Sequence, residues 1–284
     1  MVTNRSDTFA IGGEDTVNRL GFGAMRITGE DIIGPPEDES AARDLLRHLD
    51  ELGVNFIDTA DSYGPGVSER LIGEAIDADR DDIVVATKAG LLRNRDGDWL
   101  PHGDPDYIKN QVLTSIDRLD VDAIDLYQFH RPDPETDFET SLEAFAELQD
   151  EGLVRHVGLS NVDVEQLEAA QDVVDVATVQ NEYSFANREH EDVLRACEEM
   201  GIGFVPYAPL NWGTIDAEAR EAAAAVADDH DASVFQIALA WVLDHSDVTL
   251  PIPGTSSLEH LVENVAATRI DLDDADRDRL DLSA

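Results

Sequence analysis

Asp58, Tyr63, Lys88 and His130 are the residues whose types and settings point to chemistry. Lys88 stands inside DIVVATKAG, an apolar run that reads as a buried strand, and the chain has one other lysine, Lys109. An ammonium in such a place is costly without an anionic partner. A lysine that merely snorkels from a strand end is readily replaced by arginine, which this sequence uses for every other basic position but Lys109. Asp58, in the middle of the equally apolar NFIDTADSYG, is the natural counter-ion, since a lone buried carboxylate carries a similar cost. Anchoring a loop is the plainer task for an aspartate in this stretch, and Asp61 is better placed for it. Tyr63 follows just past the strand end. Beside a lysine cation its phenol is expected to fall below its ordinary pKa of about 10 and to serve as acid and base. His130 ends AIDLYQFH. A lone histidine is usually a hydrogen-bonded structural group, but one beside Tyr63 and Lys88 suits acid–base or carbonyl-orienting work. His48, His102, His156, His190, His230 and His245 fall on helices, loops or strand starts and are read as structural.

Eight β-type runs would carry these residues: 19–25, 55–60, 82–90, 123–130, 154–160, 176–183, 203–210 and 248–254. Amphipathic helical stretches separate them, several stopping at a glycine, as at Gly53, Gly152 and Gly201. The last unit opens with SSLE, Ser256 to Glu259, a capping-box pattern. Near-continuous apolar strands alternating with helices predict an α/β fold, a (β/α)8 TIM barrel built as a single domain over 1–284. TFAIG and TVNRLG read as a short hairpin on the barrel floor. In such a barrel, chemistry sits at the C-terminal ends of the strands. Besides the four residues above, those ends carry Ser160, Asn161, Gln180 and Tyr207.

Composition narrows the partners. The 62 acids and 20 bases leave a net charge of −42, yet 42% of the residues are apolar, enough for a full core. Such a field repels nucleic acid and anionic lipid, so neither is an expected partner. Acids spread over nearly every helix, with few lysines, read as adaptation of a soluble cytoplasmic protein to a halophilic interior, where salt screens the acidic surface. The N-terminus has no apolar stretch of signal type, and no run is long enough to span a membrane. Cys197, the single cysteine, falls in a helix and reads as core. No histidine or cysteine spacing suggests a metal site. GFGAMRITG does not lead into a helix, so a Rossmann fingerprint is absent. PIPGTSSLEH enters a helix N-terminus, either a dock for a phosphate or an ordinary capped helix.

The ordered series FIDTADSYG, ATKAG, YQFH, GLSN, VQNEYS, PYAPL and PIPGTSSLEHLVENV resembles the aldo-keto reductase superfamily over about residues 10–270. The resemblance implies a (β/α)8 barrel that reduces aldehydes or ketones with NADP(H), NAD(H) being the alternative. Its tetrad of Asp, Tyr, Lys and His falls on Asp58, Tyr63, Lys88 and His130. By the same likeness Gly23, Met25, Ser160, Asn161, Gln180, Tyr207 and Leu210 would meet the nicotinamide and pyrophosphate. Gly254, Thr255, Ser256, His260, Glu263 and Asn264 would meet the adenosine end. Many relatives have Lys-Ser and a later Arg around the 2′-phosphate, where this chain has Gly254-Thr255 and His260. The preference between NADPH and NADH is therefore open. GFGAMRITG and PLNWGT resemble a bacterial-type branch that includes pyridoxal reductases. Trp99 and Trp212 are candidates to line the substrate site. The expected partner is a small carbonyl or alcohol. Two rival readings are a barrel lyase with a Schiff base on Lys88 and a cofactor-sensing subunit with little turnover.

Overall fold

The structure, a computed structural model, describes residues 7–78, 82–215 and 217–280. The first six residues of the stretch tested for a signal lie outside it. The chain opens with an antiparallel hairpin, β1 (Thr8–Ile11) and β2 (Asp15–Asn18). The barrel then runs β3 (Phe22–Gly23), α1 (Glu39–Glu51), β4 (Phe56–Asp58), α2 (Val67–Ala75) and β5 (Val84–Ala89). A second hairpin, β6 (Leu91–Arg93) and β7 (Trp99–Pro101), precedes α3 (Pro105–Leu119), β8 (Ile124–Phe129) and α4 (Phe138–Asp150). Next come β9 (Val154–Ser160), α5 (Val164–Gln171), β10 (Val176–Gln180), α6 (Glu191–Met200) and β11 (Gly203–Phe204). The chain continues through α7 (Ala217–His230), α8 (Val234–His245), α9 (Leu258–Ala266) and α10 (Asp274–Leu280).

Seven strands form one parallel sheet in the order β11-β10-β9-β8-β5-β4-β3. The eighth stave, expected as a strand over 248–254, is instead an extended segment with isolated bridges to Phe204 and Gly23. Pro251 and Pro253 are the reason: neither has an N–H to donate to a ladder. The segment still closes the barrel. Leu250 donates to the Phe204 carbonyl at 2.7 Å on one side, and Gly21 donates to the Pro251 carbonyl at 3.0 Å on the other. Gly23 is required by this seam, since a Cβ there would lie 2.7 Å from the Ile252 carbonyl oxygen.

Side-chain alternation sorts the staves into two cores. Ile57, Val85, Tyr127 and Val179 face the helices, whereas Phe56, Val84, Ala86 and Leu126 fill the barrel with Ile11 and Val17 of the first hairpin. The expected floor plug is therefore present. Two residues further along each inward row come Asp58, Lys88 and Gln128, so the period of the strands delivers these polar groups to the barrel mouth. Many acids have local tasks as well. Asp38, Asp104, Asp137 and Asp163 cap α1, α3, α4 and α5 by accepting backbone N–H bonds. The three glycines expected to stop helices sit at φ of 74, 75 and 70° at positions 53, 152 and 201. The cap of α9 is Ser257 rather than Ser256, its Oγ accepting from the His260 N–H, so the capping box does not form. Among the described residues no helix is long and apolar enough to cross a membrane.

Candidate active site

Lys88 is fully buried, and its Nζ donates to Asp58 Oδ2 at 2.6 Å, to the Thr59 carbonyl at 2.8 Å and to the Tyr63 hydroxyl oxygen at 3.4 Å. All three ammonium protons are thus engaged. Asp58 is held from its other oxygen, which accepts from Gln128 Nε2 at 3.0 Å and Gln180 Nε2 at 2.7 Å. Burial opposes the Lys88 charge, but the carboxylate of Asp58 outweighs it and holds the ammonium pKa above its ordinary value. Lys109, by contrast, pairs with Glu147 at the surface. The His130 ring stands 5.9 Å from that of Tyr63, nearly perpendicular, with Nδ1 at 3.4 Å from Ser62 Oγ. Burial and the Lys88 cation keep its pKa well below the usual range, so the imidazole is neutral.

For Tyr63 the direction is opposite to the expectation. Burial raises its pKa more than Lys88 lowers it, and Asp58 adds to the rise. The phenol accordingly keeps its proton at neutral pH. Because Lys88 donates to the phenol oxygen, that proton is free for an acceptor in the cavity. The ammonium then serves to stabilise oxygen charge as a proton departs, rather than to ionise the resting phenol.

The cavity above this group holds about 570 Å³ and is lined by Asp58, Tyr63 and His130 together with Gly23, Met25, Ser160, Asn161, Gln180, Tyr207, Leu210 and Gly254. Trp99 and Trp212 line it as well. Asn161 adopts a left-handed φ of 59°, and its Oδ1 accepts from Tyr207 Oη at 2.9 Å and Arg131 Nη2 at 3.2 Å. Thr255, Ser256, His260, Glu263 and Asn264 are not in the lining. Ser256 and His260 lie exposed at the start of α9, beyond Gly254, while Glu263 Oε1 accepts from Ser233 Oγ at 2.6 Å. Gln128, Arg26, Arg131, Ile32 and Leu91 were not among the expected site residues. The inward parity of β8 was a signal for Gln128; the others reach the rim from loops and β6. The donor set suits a nicotinamide cofactor. Two side-chain amides face the cavity, and Arg26 and Arg131 are lining arginines in a chain of only 20 bases.

Other titratable groups have structural settings. His156, His230 and His245 meet Asp15, Asp276 and Glu191. Cys197 is buried in α6, and burial pushes its thiol up to about 12. Behind the site, Asp61 accepts from Tyr107 Oη at 2.7 Å, while its Oδ1 has no hydrogen-bond partner. Burial, reinforced by the charge of the neighbouring Glu69, pushes its pKa up to about 8. From about pH 4 to about 8 this carboxyl is protonated when folded and ionised when unfolded, so its contribution to stability falls as pH rises through that window. Asp61→Asn is expected to show a smaller drop in Tm between about pH 6 and 8 than the unsubstituted protein. Parallel melting curves would rule out the raised pKa.

The aldo/keto reductase family model matches residues 19–283. The chain belongs to the aldo/keto reductase family. It is similar to an uncharacterized oxidoreductase of Schizosaccharomyces pombe, 47% identical over 260 residues that cover 92% of this chain and 84% of that protein. It is also similar to pyridoxine 4-dehydrogenase of Escherichia coli, 40% identical over 274 residues that cover 94% of each. An aldo/keto reductase of Klebsiella pneumoniae, solved in complex with NADP and acetate, matches its fold with a TM-score of 0.82 at 28% identity, covering 97% of this chain and 94% of that one. The reductase is accordingly an NAD(P)H-dependent oxidoreductase of carbonyl compounds. Neither rival reading gains support. A Schiff base would need a free Lys88 amine, and that nitrogen is buried with three acceptors.

Proposed function

We propose that this reductase converts a small aldehyde or ketone to its alcohol, with Tyr63 giving the proton to the carbonyl oxygen. The observation that carries the reading is the buried chain Asp58–Lys88–Tyr63, whose last hydroxyl lines the cavity beside a neutral His130. A neutral imidazole can donate an N–H to the carbonyl oxygen and so orient it for Tyr63. As that oxygen gains charge, the Lys88 ammonium stabilises the phenol oxygen left behind. Asp58 keeps Lys88 charged, and Gln128 and Gln180 keep Asp58 in place. Bound NADP(H) supplies or takes up the hydride. Ser160, Asn161 and Gln180 would hold its carboxamide, Tyr207 its ring, and Gly23, Met25 and Leu210 its phosphates. Arg26, at the rim where its Cγ lies 3.6 Å from a Cβ built on Gly254, adds a positive charge for an anionic ligand. Thr255, Ser256, His260, Glu263 and Asn264 are assigned to the adenosine end.

We infer that pyridoxal-like aldehydes are among the substrates, supported by the similarity to a pyridoxine 4-dehydrogenase. We also infer a single catalytic domain, supported by a family match that runs from residue 19 to 283, and a salt-rich cytoplasm, supported by the net charge of −42. The test is nicotinamide absorbance with NADPH and with NADH against an aldehyde panel that includes pyridoxal. Turnover is expected, and it should be greater at about 2 M KCl than at about 0.1 M, because salt screens the surface repulsion. Absence of turnover with every carbonyl and both cofactors would refute the assignment.

A further inference from the structure

Arg93 packs behind two residues of the cavity wall, Trp99 and Ile32, and has no task in the proton chain. On β6 it lies directly opposite Trp99 of β7, with its guanidinium carbon 3.7 Å from the centre of the indole ring. Its Nη2 donates to the Asp31 carbonyl at 2.8 Å and the Gly97 carbonyl at 3.0 Å, and its Nη1 donates to the Ile32 carbonyl at 3.2 Å. One planar group therefore joins the β6–β7 hairpin to the loop between β3 and α1.

That loop is strained. Asp31 and Ile32 have φ of 54 and 59°, a left-handed conformation that a β-branched residue adopts only when its surroundings impose it. The Ile32 carbonyl also accepts from the Gly64 N–H at 3.2 Å, which ties the loop to the residue after Tyr63. Ile32 and Trp99 both line the cavity. The Trp99 ring stands 6.4 Å from Tyr63 and 6.5 Å from His130, edge-on to both. Across the mouth, on the loop after β11, Trp212 is 52% exposed, with its ring 6.2 Å from Tyr207.

We propose that Arg93 is a positioning residue that locks Trp99 and Ile32 into one rigid wall over the Tyr63 hydroxyl, and that this wall selects carbonyl groups borne on a flat aromatic ring. This rests on the reduction reading above. An aromatic ring packed against the indole gains stacking or edge contacts that a short aliphatic chain does not. The wall is useful only if the indole is already fixed when substrate arrives, and the fork of Arg93 fixes it from two sides. Lysine cannot reproduce this, because it lacks both the planar face and the paired N–H groups.

The test compares NADPH-dependent reduction of benzaldehyde and of propanal by the unsubstituted protein, Arg93→Met, Arg93→Lys, Trp99→Ala and the double variant Arg93→Met/Trp99→Ala. The unsubstituted protein is expected to favour benzaldehyde. In Arg93→Met the ratio of kcat/KM for benzaldehyde to that for propanal should fall about tenfold, chiefly through KM for benzaldehyde. Arg93→Lys should not restore it, and the double variant should match Trp99→Ala, because Arg93 acts through the indole. Equal losses on both aldehydes, full rescue by lysine or additive losses in the double variant would each overturn the proposal. Propanal and benzaldehyde reduced equally well by the unsubstituted protein, or neither reduced while other aldehydes of the panel are, would remove the aromatic wall while leaving carbonyl reduction intact; no reduction of any carbonyl with either NADPH or NADH would remove both.

Discussion

Tyr63→Phe is expected to lower carbonyl turnover about 10³-fold while cofactor affinity changes by less than about twofold, the loss being that of a positioned proton donor. The substitution deletes one oxygen from a ring that is 7% exposed and leaves its packing against Trp99 and His130 in place. Among the described residues that line the site, none is positioned to replace it. His130 is neutral and can orient the carbonyl, Lys88 is enclosed, and Asp58 is committed to Lys88, Gln128 and Gln180. Steady-state rates from nicotinamide absorbance, paired with a fluorescence titration of NADPH, separate the two effects. Turnover retained within an order of magnitude would assign the proton to another group.

Lys88→Met is expected to abolish turnover and also to destabilise the fold by about 3–5 kcal/mol, because it strands a buried carboxylate. Asp58 is 2% exposed, and its Oδ2 would lose its ammonium partner at 2.6 Å. In a chain of this size that penalty corresponds to a drop in Tm of roughly 10 °C. Asp58→Asn/Lys88→Met should recover much of the stability, since neither member then carries an unpaired charge, yet remain inactive. Thermal melts of the two variants decide the matter. A Lys88→Met protein that melts with the unsubstituted one would mean the pair is solvated.

Much of this was legible from residue order alone. The expense of an ammonium in an apolar strand pointed from Lys88 to Asp58, and the structure puts both on the inner face of the barrel with Phe56 and Val84 below them. The hairpin itself and the glycine stops were readable because each depends on neighbours only a few residues away, and Cys197 was readable as core from its place in a helix. The eighth stave was misjudged as a strand because its apolar pattern hides the lack of donors at Pro251 and Pro253. The α9 cap was misplaced by one residue because SSLE offers two serines and only the packed chain selects Ser257.

What the sequence by itself determined was that Asp58, Lys88 and Tyr63 should meet, and the barrel that brings them together, since charge cost and the alternation of apolar strands with helices are properties of local residue order. Only the tertiary structure decided the direction of the Tyr63 shift, because depth of burial depends on what other elements bring over the ring. It also decided the rim. Arg93 reaches the carbonyls of Asp31 and Ile32 some sixty residues away in the chain, and Ile32 is held at a φ that its own chemistry disfavours. Contacts between distant loops leave no period or composition to read, and substrate selection is built from such contacts.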